Sequence, residues 1–170
     1  MNLDPKFKVS EFPSQISIEF LKKIYNLNQE HTPEVGSLSS VKYLNELIGL
    51  SSKNFYISFE NTIIGFMICF REGSKYKSKN YNFFTQNESK FLYIDRIAIK
   101  SDYRRKGVGR SLYALIDAIA KNEEIPLCCE INIQPLNQIS IDFHESLGFC
   151  RVDEFAFDDH EVAYFIKKHS

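Results

Sequence analysis

Between Phe91 and Gly148 the hydrophobic period changes three times, and no other stretch limits the fold as tightly. Phe91 to Ile99 is apolar on both faces, which is the pattern of a central strand. From Lys106 or Gly107 to about Lys121, the residues Val108, Leu112, Leu115 and Ile119 recur at helical spacing. Leu127 to Gln134 returns to strand and stops at Pro135, which lacks a ladder donor. A second helix opens at Asn137 or Gln138, carries Ile139, Phe143 and Leu147 on one face, and ends at Gly148. Strand, helix and strand over 91–134 form a βαβ unit, which requires parallel pairing and a right-handed crossover.

The flanking segments read as antiparallel additions. A short strand is expected at 7–10 and a helix from Ser14 to Asn28, with Ser14 or Ser17 as its cap. A break follows at 31–36, then a second helix over about 39–49. Asn54–Phe59 and Thr62–Phe70 form a hairpin turning at Glu60-Asn61, and strands at 150–157 and 161–168 turn at Asp158–His160. Residues 71–90, with Tyr76, Tyr81 and Phe84, are expected as a long polar and aromatic loop. The expected whole is an α/β fold in a single domain spanning 1–170. Its twisted sheet is mixed and largely antiparallel, with one parallel βαβ pairing and helices on both faces.

The chemistry concentrates where the central strand meets its helix, at Tyr103–Ser111. Backbone amides at a helix start have no internal partners, and the helix dipole adds partial positive charge there. Gly107 and Gly109 allow close approach to the backbone, and Arg104, Arg105, Lys106 and Arg110 add fixed charge. Such a site suits a pyrophosphate, although the same residues also fit a solvated helix start. A dinucleotide-type glycine pattern fails at Leu112, and the Gly-Lys-Ser/Thr of a P-loop is absent. A net charge of −1 argues against nucleic-acid partners or an anionic membrane. The cysteines at 69, 128, 129 and 150 match no metal or redox spacing, so no metal is expected. Reduced thiols and the lack of an apolar leader or a ~20-residue apolar run point to the cytoplasm.

Two blocks then carry a resemblance. Tyr103-Arg104-x-x-Gly107-x-Gly109 after a strand resembles the acetyl-CoA signature of the GNAT N-acetyltransferase superfamily. Asn137-x-x-Ser140-x-x-Phe143-His144-x-x-x-Gly148-Phe149 resembles that family's second conserved helix. More loosely, the chain is similar to a poorly characterised subgroup of predicted acetyltransferases. The resemblance implies a transferase that moves an acetyl group from acetyl-CoA to a primary amine of a small molecule, amino acid or peptide, by direct attack in a ternary complex. The alternative is a non-catalytic acyl-CoA-binding or regulatory module.

By the same resemblance, the amides of Arg105, Lys106, Gly107, Val108, Gly109, Arg110 and Ser111 hold the pyrophosphate, with Arg104 beside them. Ile97, Ala98 and Ile99 pair with the pantetheine arm, and Asn137 contacts it or simply caps its helix. His144 stands where the family usually has the tyrosine that protonates the leaving thiolate; histidine can donate near neutrality, or water can replace it. Tyr93 and Asp95 alternate onto one strand face, and Glu130 onto the matching face of the next strand. These three are the candidate bases, or ligands for a cationic amine. A pair between Asp95 and Arg96 is judged awkward because adjacent strand residues face opposite ways. Asn28, Glu34 and Val35, with Tyr76, Asn80, Tyr81 and Phe84 of the 71–90 loop, are the candidate acceptor contacts. Dimers are common in the family, which leaves a homodimer open.

Overall fold

The computed structural model describes residues 3–169. Strand β1 (Phe7–Glu11) leads into helices α1 (Ile18–Gln29) and α2 (Val41–Leu50), whose first turns are capped by the Ser17 and Ser40 hydroxyls. The hairpin of β2 (Lys53–Phe59) and β3 (Thr62–Arg71) turns through Glu60 and Asn61, both at positive φ. After β3 come α3 (Lys79–Asn87), β4 (Leu92–Ile99), a single 3-10 turn at Ser101–Tyr103 and α4 (Val108–Asn122). Strand β5 (Leu127–Gln134), α5 (Gln138–Ser146), β6 (Cys150–Ala156) and β7 (Glu161–Lys167) complete the chain.

Helix α3 corrects the expectation of a loop over 71–90. Ser78 caps it by accepting from the Tyr81 amide, and Tyr81 and Phe84, one turn apart, bury themselves against the sheet at 3% and 0% exposure. The polar composition of the segment hides a two-residue apolar stripe, and tertiary packing supplies what propensity does not.

The seven strands form one sheet in the order β1-β2-β3-β4-β5-β7-β6. The one parallel pair in that sheet is β4 with β5, and its register covers Leu92 with Leu127 and Tyr93 with Cys128. Beyond that point β4 runs on to Ile99 and β5 to Gln134 without pairing to each other. The sheet therefore parts in its middle, exposing strand edges between the two halves.

Each face carries its own core. Val108, Leu112, Tyr113 and Ile116 of α4 pack with Ile94, Cys129 and Phe149 on one side. On the other, α1, α2 and α3 pack Ile24, Leu44 and Phe84 against Phe66, Tyr93 and Tyr164. Alternation along β4 and β5 sends Leu92 and Cys129 to the first core and Tyr93 and Cys128 to the second.

Candidate active site

The turn before α4 is built from left-handed backbone. Arg105 has φ 59° and Gly107 has φ 82°, and Gly107 caps α4 with no side chain. Alternation of conformations of this kind turns successive N–H groups into one concavity. The first turn-to-turn bond of α4 runs from the Ser111 amide to the Gly107 carbonyl at 3.0 Å, so Val108, Gly109 and Arg110 lie ahead of any intrahelical acceptor. Val108 is buried and anchors the helix start, leaving its amide to the turn. A Cβ on Gly109 would lie 3.4 Å from the Ile99 side chain and 3.6 Å from Phe143, so the backbone here stands close to the strand end and to α5. Arg105, Lys106 and Arg110 are exposed around it. This cradle of free amides, positive φ and surrounding cations fits a diphosphate.

The strand end is stitched more than its sequence suggests. The Ile99 carbonyl faces His31 Nε2 at 2.7 Å and accepts from Arg104 Nε at 3.3 Å, so this carbonyl is already engaged. Ile97 and Ile99 lean on the α4 core and Ala98 on the other. Asn137 caps α5 by accepting from the Ser140 amide at 3.2 Å.

Where β4 and β5 part, a polar group gathers on the α1–α3 face. The Tyr93 hydroxyl donates to Glu130 Oε2 at 2.7 Å, bridging the two strands. Burial, followed by the negative charge of Asp95, lifts the Glu130 carboxyl from 4.5 to about 8, against the opposing effect of the Tyr93 and Asn80 hydrogen bonds. Burial, reinforced by Glu130, also pushes the Tyr93 hydroxyl far up and keeps it a donor. The Tyr76 hydroxyl donates to Asp95 Oδ1 at 2.8 Å, and Tyr164 donates to Asn80 Oδ1 at 3.0 Å.

Asp95 and Arg96 do pair, at 2.7 Å, with side chains 5% and 9% exposed. The alternation that made this pair awkward fails at a β-bulge: Ile68 stands opposite Arg96 and Cys69 opposite Ile94, leaving Asp95 as the extra residue. Arg96 also donates to Asn28 Oδ1 at 2.9 Å and to the Gly36 carbonyl at 3.1 Å, pinning the α1–α2 connection to β4.

Asn28, expected to contact the acceptor, is instead fully buried, and its amide nitrogen is spent on Gln29 and on the Gly36 carbonyl. Tyr81 and Phe84 likewise belong to the core. Glu34 is exposed on the α1–α2 connection, and Tyr76 is half-buried beside Asp95.

His144, expected as the acid for the leaving thiolate, sits 6% exposed on the α4–α5 face. Its Nδ1 lies 2.7 Å from the Ser140 carbonyl and must carry the proton there. Its Nε2 then accepts from the Tyr113 hydroxyl at 2.6 Å. Burial lowers the imidazole below its ordinary 6.5, which favours this neutral form.

Sequence reasoning missed Tyr164, Tyr113 and His31, and named Asn80 only as an acceptor-side residue of the 71–90 loop, without its partner. Tyr164 sits in a strand by alternation and Asn80 two residues after a capping serine, but no local signal brings the two together.

Residues 21–149 match the acetyltransferase (GNAT) family. No curated protein matches the sequence. Among solved structures, the fold resembles ribosomal-protein-S18-alanine N-acetyltransferase from Escherichia coli, at 20% identity and a TM-score of 0.66 over 95% of this chain and 93% of that one. It also resembles a GNAT family acetyltransferase from Elizabethkingia anophelis with acetyl-CoA bound, at 12% identity and 0.66 over 98% and 100%. Arabidopsis thaliana Naa50 in complex with the bisubstrate analogue CoA-Ac-MVNAL matches at 15% identity and 0.69, over 96% and 99%.

Proposed function

The chain belongs to the acetyltransferase (GNAT) family, and on that premise we propose that it is one cytoplasmic acetyltransferase domain that transfers an acetyl group from acetyl-CoA to the nitrogen of a primary amine. The observation that carries this reading is the parting of β4 and β5 immediately beyond Tyr93 and Cys128, with a carboxyl of pKa about 8 at the point of parting.

The amides of Arg105–Arg110 hold the diphosphate, helped by Arg104, Lys106 and the Arg110 side chain, whereas the Ser111 amide, expected among them, is spent on the Gly107 carbonyl. The unpaired β4 edge over Ile97 and Ala98 offers the pantetheine arm a strand to lie against, as an added strand would. Bound acetyl-CoA supplies an activated acetyl thioester. Glu130 Oε2, released from the Tyr93 proton it accepts, takes a proton from the amine nitrogen, directly or through one water. A base near pKa 8 matches that task better than an ordinary carboxylate. Tyr93 orients Glu130, and Asp95, already paired with Arg96, raises its basicity.

Transfer is direct. Burial raises the Cys69, Cys128 and Cys129 thiols, so none offers a thiolate as a covalent nucleophile. Neutral His144 has no proton left to give, since Nδ1–H is bonded to Ser140 and Nε2 accepts, so water supplies the proton for the leaving sulfur.

Calorimetry with acetyl-CoA, followed by thiol release across a panel of amines, tests the reading. Micromolar uptake and amine-dependent thiol release are expected. Uptake without release for any amine would leave a binding module.

A further inference from the structure

Glu130 and Tyr164 are Cα partners in the antiparallel register of β5 and β7, so their side chains stand side by side on the α1–α3 face. The Tyr164 hydroxyl is nevertheless spent elsewhere. It donates to Asn80 Oδ1 at 3.0 Å, and Asn80 in turn supports the charged form of the Glu130 carboxyl. A carboxylate only accepts, so the part of Asn80 that serves it is the amide N–H. The neighbours thus tell the two ends of the amide apart: oxygen to the hydroxyl, nitrogen to the carboxylate. Turned over, the amide would set its oxygen against Glu130 and leave the Tyr164 proton without its acceptor.

Helix α3 holds this arrangement. Asn80, Phe83 and Phe84 share one helix face. Phe83 lies flat on the Tyr164 ring, with centroids 4.0 Å and planes 8° apart, and Phe84 meets that ring edge-on at 5.5 Å. Tyr164 is 2% exposed. Burial, then the charges of Glu130 and Asp153, lifts its hydroxyl to about 12, so it keeps its proton while Glu130 titrates. The other groups facing Glu130 come from neighbouring elements. Strand β4 brings Tyr93, which donates to it, and Asp95, which is paired with Arg96. Tyr76, ahead of α3, donates to Asp95 and has Tyr43 of α2 behind it. Strand β6 brings Asp153, opposite Tyr164 in register. Behind the sheet stand Cys129 and, from α4, Tyr113, both raised chiefly by burial.

We propose that Tyr164 and Asn80 are positioning residues for the base: the Tyr164 hydroxyl orients the Asn80 amide, and the oriented amide keeps its N–H on the Glu130 carboxylate. This rests on Glu130 as the base of the proposed transfer and adds the residues that decide when it is charged. Tyr164→Phe keeps the stacked ring but releases the amide oxygen. Weakening a donor to the charged form makes ionisation harder. The rising limb of kcat/KM should therefore move up by about half a pH unit, lowering kcat/KM about threefold at pH 7 and leaving the alkaline plateau within about twofold. Asn80→Leu fills the place of the amide without a donor and should move the limb at least as far. Adding Tyr164→Phe to Asn80→Leu should move it no further, because the hydroxyl acts through the amide. Carbon-13 NMR of the Glu130 carboxyl in the full chain, free of acetyl-CoA, should show the same displacements of its titration midpoint.

An unmoved midpoint in Tyr164→Phe or Asn80→Leu overturns the proposal, as does a further shift in the double variant or a loss of activity equal at every pH. Absence of thiol release with every amine overturns the transfer reading instead, and the NMR titration then still decides whether Tyr164 acts on Glu130 through Asn80.

Discussion

At the scale of single residues, Glu130 ties stability to pH. Its carboxyl stands at about 8 in the fold against an ordinary 4.5. Between those values the unfolded chain has lost the proton and the folded chain keeps it. Stability therefore falls as pH rises through this window and levels off above about 8. Glu130→Gln removes the effect: its melting temperature should be close to the parent's near pH 5 and exceed it by roughly 10 °C at pH 9. The same variant should lose about 100-fold in turnover and flatten the rising limb of the pH–rate profile. Higher stability without lost turnover would separate the group from the chemistry. Tyr93→Phe deletes a hydrogen bond that lowers Glu130, so the limb should move to higher pH by up to about one unit; an unmoved limb would show the two groups uncoupled. Glu130 and Tyr93 were legible in the sequence because period-two alternation places both on one face. The Asp95–Arg96 pair was not, because its bulge is set by the register against β3, which lies 25 or so residues upstream and leaves no mark on β4 itself.

At the scale of elements, most of the fold follows from period and caps: strands, the helices α1, α2, α4 and α5 and their capping boundaries emerge within a few residues of their expected ends. Helix α3 does not, because nine residues of low hydropathy form a helix only when packed. Phe84 is its root, in contact with Phe91, Tyr93 and Tyr164. Phe84→Ala should cost about 3–4 kcal/mol and lower the melting temperature by roughly 10 °C. Thermal unfolding checks this, and a loss under about 1 kcal/mol would mean that the segment is not anchored as described. The turn before α4 has the opposite character. Its glycines announce it in the sequence, yet the left-handed Arg105 that helps to shape it is not a residue type from which that conformation would be read.

At the scale of the whole molecule, two cores on opposite faces of one sheet share a centre line that is closed over two residue pairs and open thereafter. A ligand that fills the open part binds the folded chain alone. Acetyl-CoA at 100 times its dissociation constant should therefore stabilise the protein by about 2.7 kcal/mol, or roughly 5–10 °C. Desulfo-CoA and CoA should give similar shifts, whereas duplex DNA should give none. A shift with DNA comparable to that with CoA would contradict the assignment of the basic turn. The polar cluster around Glu130 was the least legible part, since it is assembled from α3, β4, β5 and β7, whose side chains meet only after the chain has closed on itself.

The short junction of β4 and β5 makes the sheet resemble a book with its spine sewn at one end. Each leaf is firmly bound within itself, and the Tyr93–Glu130 bridge is the last stitch before the pages fan apart. On the proposed function, acetyl-CoA entering there completes the binding, so the two leaves should breathe against each other when empty and move as one when loaded.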